Sequence, residues 1–289
     1  MHFFIFSFII VGMKNWLHDQ TVILSGASGG IGRELAKLLV LKYNATVIGI
    51  GRSEEKMRSL QAELGERASA FSYRLFDVSS KESWQALRQE LEAQDVKPLL
   101  LINNAGVFPA LQTASNSPSE ITEKVIQTNF LSAVYATEAL SPLLVANGKH
   151  KPAIVNVSSS AALCSVVGAS SYTASKAALK GYTEVLQLEE KGKKYVGVVY
   201  PGTTATDLFR DDKNVQNSAM GIIAMPAHKM ASKIAKRILK RKKRSVLGLD
   251  AKLMSLTAKI MPVKGPALIC WVMKMSKSKA FTNVFVDKN

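Results

Sequence analysis

Short apolar runs alternate with longer amphipathic stretches along most of the chain, and this alternation limits the fold more than any other feature. Thr21–Ser25 (TVILS), Ala45–Ile50, Ala70–Phe76, Leu99–Ile102 (LLLI), Ala153–Val157, Val196–Val199 and Val246–Leu249 all have strand length. Between them, Gly29–Tyr43 repeats Ile31, Leu35, Leu38 and Leu39 at helical spacing, and Glu54–Leu64 reads as a charged surface helix. Ser80–Ala93, with Ser79 or Ser80 as N-cap, then Ser119–Val145, Ser171–Glu190 and Ala227–Arg241 supply further helices. A run such as LLLI has no face fit for water. Regular alternation of such strands with helices therefore predicts a parallel sheet covered on both faces. Right-handed crossovers make it an α/β, doubly wound sheet of seven strands, with ligands bound beyond the carboxyl ends of the strands. The simplest division is one domain over residues 14–250 and a C-terminal helical appendix over residues 251–289, with no internal repeat or low-complexity tract.

Chemistry-bearing residues collect at those carboxyl ends. Ser25-Gly26-Ala27-Ser28-Gly29-Gly30-Ile31-Gly32 follows the first strand and opens the first helix. Its glycines allow a tight turn and close backbone approach to a pyrophosphate, and the helix N-terminus offers free N–H groups, as in Rossmann-type dinucleotide sites. The spacing is GxxxGxG rather than the commoner GxGxxG. The second strand ends in Gly51-Arg52-Ser53, where an acidic residue would bind a ribose 2′-hydroxyl and an arginine accommodates a 2′-phosphate; Arg52 favours NADP(H) over NAD(H). Tyr172 and Lys176 lie four apart on one helical face. A free phenol, with a pKa near ~10, is a poor acid or base at neutral pH, and a cation one turn away lowers that value. Ser158-Ser159-Ser160 closes the fifth strand, Asn103-Asn104-Ala105-Gly106 the fourth, and Pro201-Gly202-Thr203-Thr204-Ala205-Thr206 the sixth.

With these motifs in order, the sequence resembles the short-chain dehydrogenase/reductase family from about Lys14 to Leu249. The family's TGxxxGxG motif appears with Ser25 in place of threonine, a change that keeps the hydroxyl; its NNAG is Asn103–Gly106 and its YxxxK is Tyr172–Lys176. The family serine, thirteen residues before the tyrosine, falls on Ser159; Ser158 and Ser160 compete on chemistry alone. Its helical asparagine falls on Asn129, and its adenine-contacting aspartate on Asp77, followed by Val78. The resemblance implies hydride transfer at a carbonyl or carbinol carbon, with Tyr172 moving the proton and Ser159 polarising the oxygen. Lys176 would lower the tyrosine pKa and hold the nicotinamide ribose, and Asn129 would order a water that links the lysine to solvent. The implied cofactor contacts are Gly26, Ser28, Gly30, Ile31, Gly32, Arg52, Asp77, Val78, Asn104, Ala105, Gly106, Tyr172, Lys176, Pro201, Gly202, Thr204 and Thr206, with no metal. Homodimers or homotetramers are usual in the family.

The formal charge of +16 invites a nucleic-acid reading, but the charge is not spread evenly. Lys229 to Asn289 holds 16 basic and 2 acidic side chains, a net of +14, and the preceding residues sum to +2. The run Lys240–Arg244 ends a helix, where cations complement the dipole, and no aromatics interleave with it, so nucleic acid is not the expected partner. Cys164 and Cys270 form no disulfide framework, and the four histidines lack metal-ligand spacing, which makes a cytoplasmic setting the default. Met1–Gly12 (MHFFIFSFIIVG) is too short to span a bilayer. It reads as an optional leader before a start at Met13, or as a membrane-dipping anchor. Beyond residue 250, Leu253, Leu256 and Ile260, with Lys252 and Lys259, then Ala267–Met273 around Trp271, suit a membrane surface, a flap over the substrate pocket or a dimer contact. The apolar loop containing Met220, Ile222, Ile223 and Met225 points to a lipophilic ketone or secondary alcohol, steroid-like or long-chain acyl, as substrate. Alternatives are a 3-oxoacyl-carrier-protein reductase and a non-catalytic NADP(H)-binding scaffold.

Overall fold

A computed structural model of the chain describes residues 15–206, 224–275 and 282–285. The elements run β1 (Thr21–Ser25), α1 (Gly30–Lys37), β2 (Thr46–Gly51), α2 (Glu54–Glu63), β3 (Phe71–Leu75), α3 (Lys81–Ala93), β4 (Leu100–Asn103), α4 (Ser119–Ile126), α5 (Ser132–Leu140), β5 (Ala153–Val157), α6 (Ser170–Glu189) and β6 (Tyr195–Pro201). A two-residue pair follows, β7 (Thr204–Ala205) and β8 (Met225–Pro226), then α7 (Ala227–Leu239), β9 (Arg244–Leu247), α8 (Leu249–Ile260), α9 (Lys264–Met275) and α10 (Thr282–Phe285). Seven strands form one sheet in the order β3-β2-β1-β4-β5-β6-β9, every neighbouring pair parallel. The doubly wound sheet predicted from the alternation is the one observed. Chain direction across the sheet reverses between β1 and β4, and the pairing Leu24↔Ile102 sets Ser25 beside the turn that follows β4.

Alternate strand residues feed two cores. Val22 and Leu24 pack with Leu35, Met57, Leu60, Met230 and Ile234 from α1, α2 and α7. Ile23 and Leu101 pack with Trp84, Leu87, Leu140 and Leu186 from α3, α5 and α6. The period-2 alternation of β1 thus reaches both helical layers, which is why the strands read as unbroken apolar runs.

Among the predicted boundaries that move, three have a plain local cause. The last strand is Arg244–Leu247, two residues earlier than Val246–Leu249, because Gly248 turns the chain at φ +112 and Leu249, 84% exposed, opens a helix. The helix expected at Gly29–Tyr43 ends its regular part at Lys37 and widens into a π turn over Leu38–Lys42. The one expected at Ser119–Val145 is interrupted by a π turn at Gln127–Leu131 and stops at Leu140, where Pro142 forces a tight turn. The basic run is partly structural: Arg241 stacks over Trp16 at 4.1 Å and donates to the Lys151 carbonyl, and Arg244 lies over the Tyr200 ring. Met1–Gly12, Met220, Ile222 and Ile223 lie outside the described residues.

Candidate active site

Ser25 joins the two loops at the switch point. Its buried Oγ accepts from the backbone N–H of Asn104 at 3.0 Å and of Ala105 at 3.1 Å. In return Asn104 Nδ2 donates to the Ser25 carbonyl at 3.1 Å. An oxygen acceptor is what this position supplies, and a threonine hydroxyl would supply the same atom. Gly26 stands at φ +70, and a Cβ there would come within 2.9 Å of Ala105 Cα. A Cβ on Gly32 would overlap the Gly26 carbonyl, so Gly32 packs beneath the loop. Gly29 caps α1 with no side-chain acceptor, leaving the first-turn N–H groups directed at the loop.

A cleft of about 560 Å³ runs along this rim. Gly26, Ser28, Gly30, Ile31, Asn104, Ala105 and Gly106 line it, with Pro201, Gly202, Thr204 and Thr206 from beyond β6. Gly30 is also left-handed, at φ +52, with the Thr206 side chain 3.1 Å from where its Cβ would stand. Arg52, Lys56, Asp77 and Val78 mark one end. Arg52 lies 3.6 Å from the Asp77 carboxylate, both side chains largely solvent-exposed. Asp77 also accepts from the N–H and hydroxyl of Ser79, which hold its carboxyl below the usual range, with help from Arg52. The Val78 carbonyl is fixed by the buried Trp84 indole at 2.8 Å. The open, glycine-lined backbone at a helix N-terminus fits a dinucleotide pyrophosphate.

At the other end stand Ser159, Tyr172 and Lys176. Tyr172 and Lys176 occupy successive turns of α6. The Lys176 ammonium is buried, donates to the Val157 carbonyl at 3.1 Å and lies 5.9 Å from the Tyr172 ring centroid. Burial lowers its pKa to about 8. Tyr172 differs from the sequence expectation. Burial raises its pKa, and the Ser159 hydroxyl, not the lysine, draws it back. The three serines separate by partner: Ser158 Oγ is committed to the Lys176 carbonyl at 2.9 Å, Ser160 opens a short helical turn, and Ser159 faces the phenol.

Asn129 sits in the π turn between α4 and α5, buried behind the cleft and not lining it. Its amide clamps Val107 in both directions, accepting from its N–H at 2.7 Å and donating to its carbonyl at 2.9 Å, and also donates to Ser175 Oγ at 3.0 Å. A Cβ on Gly106 would meet both Asn129 Oδ1 and Lys176 Nζ at 3.3 Å, so the two side chains converge on that glycine. Three residues escaped the sequence reading. Ser175 links Asn129 to the Tyr172 carbonyl; the Asn-to-YxxxK spacing gives no hint of it. Asp250, in the first turn of α8, accepts from the Thr203 N–H at 2.6 Å and bears on Gly202. Phe108 meets the Tyr172 ring edge-on at 4.7 Å. Met273, in the Ala267–Met273 run for which a flap was one expectation, joins Phe108 and Tyr172 in one apolar cluster, so α9 covers this end of the cleft. For Ser175, Asp250 and Phe108, the only advance signal was the position of Phe108 just beyond the NNAG turn.

Comparison with known proteins bears on this site. A family model described as short chain dehydrogenase matches residues 20–217. Benzil reductase ((S)-benzoin forming) of Saccharomyces cerevisiae is 31% identical over 201 residues, covering 66% of this chain and 74% of the yeast protein. A 3beta-hydroxysteroid dehydrogenase of Mediterraneibacter gnavus is 30% identical over 191 residues, 66% of this chain and 68% of the relative. A short-chain dehydrogenase of Shigella flexneri, solved in complex with NADP, superposes with a TM-score of 0.72 at 25% identity, over 80% of this chain and 98% of its own.

Proposed function

Since the chain belongs to the short-chain dehydrogenase/reductase family of oxidoreductases, we propose that it interconverts a ketone and a secondary alcohol, uses NADP(H), and acts on a lipophilic substrate. The convergence of Ser159, Tyr172 and Lys176 at one end of the glycine-lined cleft carries this reading. A bound nicotinamide dinucleotide supplies the hydride donor or acceptor. The chain's residues do the rest. The Tyr172 phenol, protonated at neutral pH as any phenol is, can donate to a carbonyl oxygen held beside it and Ser159; burial makes it a weaker acid, and the Ser159 hydroxyl opposes that. The Ser159 hydroxyl stabilises charge developing on that oxygen. Lys176, its ammonium 5.9 Å from the Tyr172 ring centroid, is the cation placed to steady the phenolate left behind.

Arg52 and Lys56 at the adenosine end support a 2′-phosphate. Val107, Phe108, Leu111, Val166, Met254 and Met273 give the substrate end an apolar wall. The relatives named for benzil and for a 3beta-hydroxysteroid are consistent with such a substrate. Exposed Val185 and Leu188 on α6 support assembly with a second copy.

Tyr172→Phe is the direct test. Ketone reduction, followed by NADPH absorbance across a panel of steroid, fatty-acyl and aromatic carbonyls, should fall on the order of 10²–10⁴-fold. NADPH binding, followed by fluorescence, should stay near wild type. Undiminished turnover would overturn the assignment of Tyr172, and activity confined to small polar ketones would overturn the lipophilic substrate.

A further inference from the structure

An amphipathic helix ordinarily buries its apolar stripe, but α8 and α9 turn theirs outward. Leu249, Leu253, Leu256 and Ile260 recur at helical spacing and are 54–84% exposed. Leu268, Trp271 and Met275 do the same on α9, between 43% and 62% exposed. Of the fifteen large apolar side chains exposed among the described residues, ten lie between Leu249 and Met275, so this is a contiguous patch and not scatter. The two helices form a fixed hairpin, with Gly265 pressed against the Thr257 carbonyl.

The charge on this hairpin has one sign. Lys252, Lys259, Lys264 and Lys274 are exposed beside the apolar stripes. Asp250, the one acidic residue of 249–275, is turned inward to the Thr203 N–H. A two-fold contact with a second copy would set this cationic face against itself. On α6, Val185 and Leu188 are flanked by Lys180, Glu184 and Glu189, both signs together, which better suits self-association. Exposed leucines, a tryptophan in the stripe and flanking lysines match the headgroup boundary of an anionic bilayer. No helix among the described residues is long and apolar enough to cross a membrane, so the match is to the surface. The inner side of the same hairpin carries Met254 and Met273, which line the cleft.

We propose that the α8–α9 hairpin seats this protein in the plane of an anionic lipid surface, with the substrate end of the cleft opening beside it. A carbonyl compound dissolved in the bilayer then reaches Tyr172 past Met254 and Met273. The delivery step rests on the reductase reading given above; the docking does not.

Flotation of the full chain with phosphatidylcholine vesicles, with and without phosphatidylglycerol, tests the docking. The chain should float with the anionic vesicles and be released by salt. Leu256→Asp/Trp271→Asp and, separately, Lys252→Glu/Lys259→Glu should each weaken partitioning by at least about tenfold, with NADPH binding and far-UV circular dichroism unchanged. A chain begun at Met13 should float like the full one. Docking is overturned if the full chain ignores vesicles, if both double variants float normally, if removal of residues 1–12 abolishes flotation, or if Leu256→Asp/Trp271→Asp converts a dimer to a monomer in sedimentation. For delivery, anionic vesicles should speed turnover of a bilayer-partitioned long-chain ketone in the wild type but not in the variants, and leave a water-soluble ketone unaffected. Equal stimulation of both ketones overturns delivery. Failure to turn over any ketone overturns the reductase reading and leaves the flotation result standing.

Discussion

Replacing Ser25 by alanine removes one oxygen atom and leaves two donors without an acceptor. Its Oγ receives the N–H groups of Asn104 and Ala105, at 3.0 and 3.1 Å, and the serine is only 3% exposed. An orphaned buried N–H costs about 1–3 kcal/mol. Both amides border the half-open cleft, so the lower part of that range applies to each, and the pair sums to about 2–4 kcal/mol. At a denaturant slope near ~3 kcal/mol per molar, that moves the urea midpoint down by about 1 M. Ser25→Thr keeps the acceptor and adds one methyl group, so it should stay within about 1.5 kcal/mol of wild type. The same bonds hold the glycine loop in register with the Asn104–Gly106 turn, so Ser25→Ala should also weaken NADPH binding, on the order of tenfold, while Ser25→Thr preserves it. Equilibrium urea unfolding by tryptophan fluorescence and NADPH titration read the two effects separately. An alanine variant within about 0.5 kcal/mol of wild type would refute the reasoning, because an inert position would then be holding two part-buried donors.

Arg52→Asp should weaken NADPH binding by roughly 1.5–3 kcal/mol and NADH binding far less, since the new carboxylate faces both a 2′-phosphate and Asp77; equal losses in titration would remove the basis for naming NADP(H). Asp250→Ala should destabilise the protein by about 1–2 kcal/mol through the lost Thr203 N–H acceptor, with Asp250→Asn recovering part of it in thermal unfolding. For Lys176 the folded pKa of about 8 lies below the ordinary lysine value of 10.5, so between those two values the unfolded chain binds the extra proton. The wild type should therefore gain stability relative to Lys176→Met as pH rises from about 8 toward 10.5, by at most about 3 kcal/mol, without cofactor, in paired urea titrations. A flat or falling difference would mean the ammonium is not desolvated.

The sheet was legible because β4 and β5 are buried at every position and are apolar but for Asn103 and Asn156, which bond each other. The rim was legible because it needs particular atoms at fixed places: glycine where a Cβ would strike Ala105, a hydroxyl where two amides meet. The π turn that holds Asn129 was not, because it depends on how α5 and α6 pack and has no local signature. The raised pKa of Tyr172 was hidden for a related reason. Helical spacing placed a cation near the phenol, but only the packed structure shows that burial sets the direction and the Ser159 hydroxyl opposes it. Asp250 was lost in a segment read for its bulk charge, where one inward-facing carboxylate does not register in the total.

One long-range packing contact bears on how the chain is made. The Trp16 indole donates to the Leu239 carbonyl, 223 residues away, and the buried face of α1, with Leu35, is covered by Met230 and Ile234 of α7. A ribosome delivers α1 early and its cover some two hundred residues later. Over that interval the nascent helix lacks its α7 cover, so completion of this core waits on the far end of the sheet.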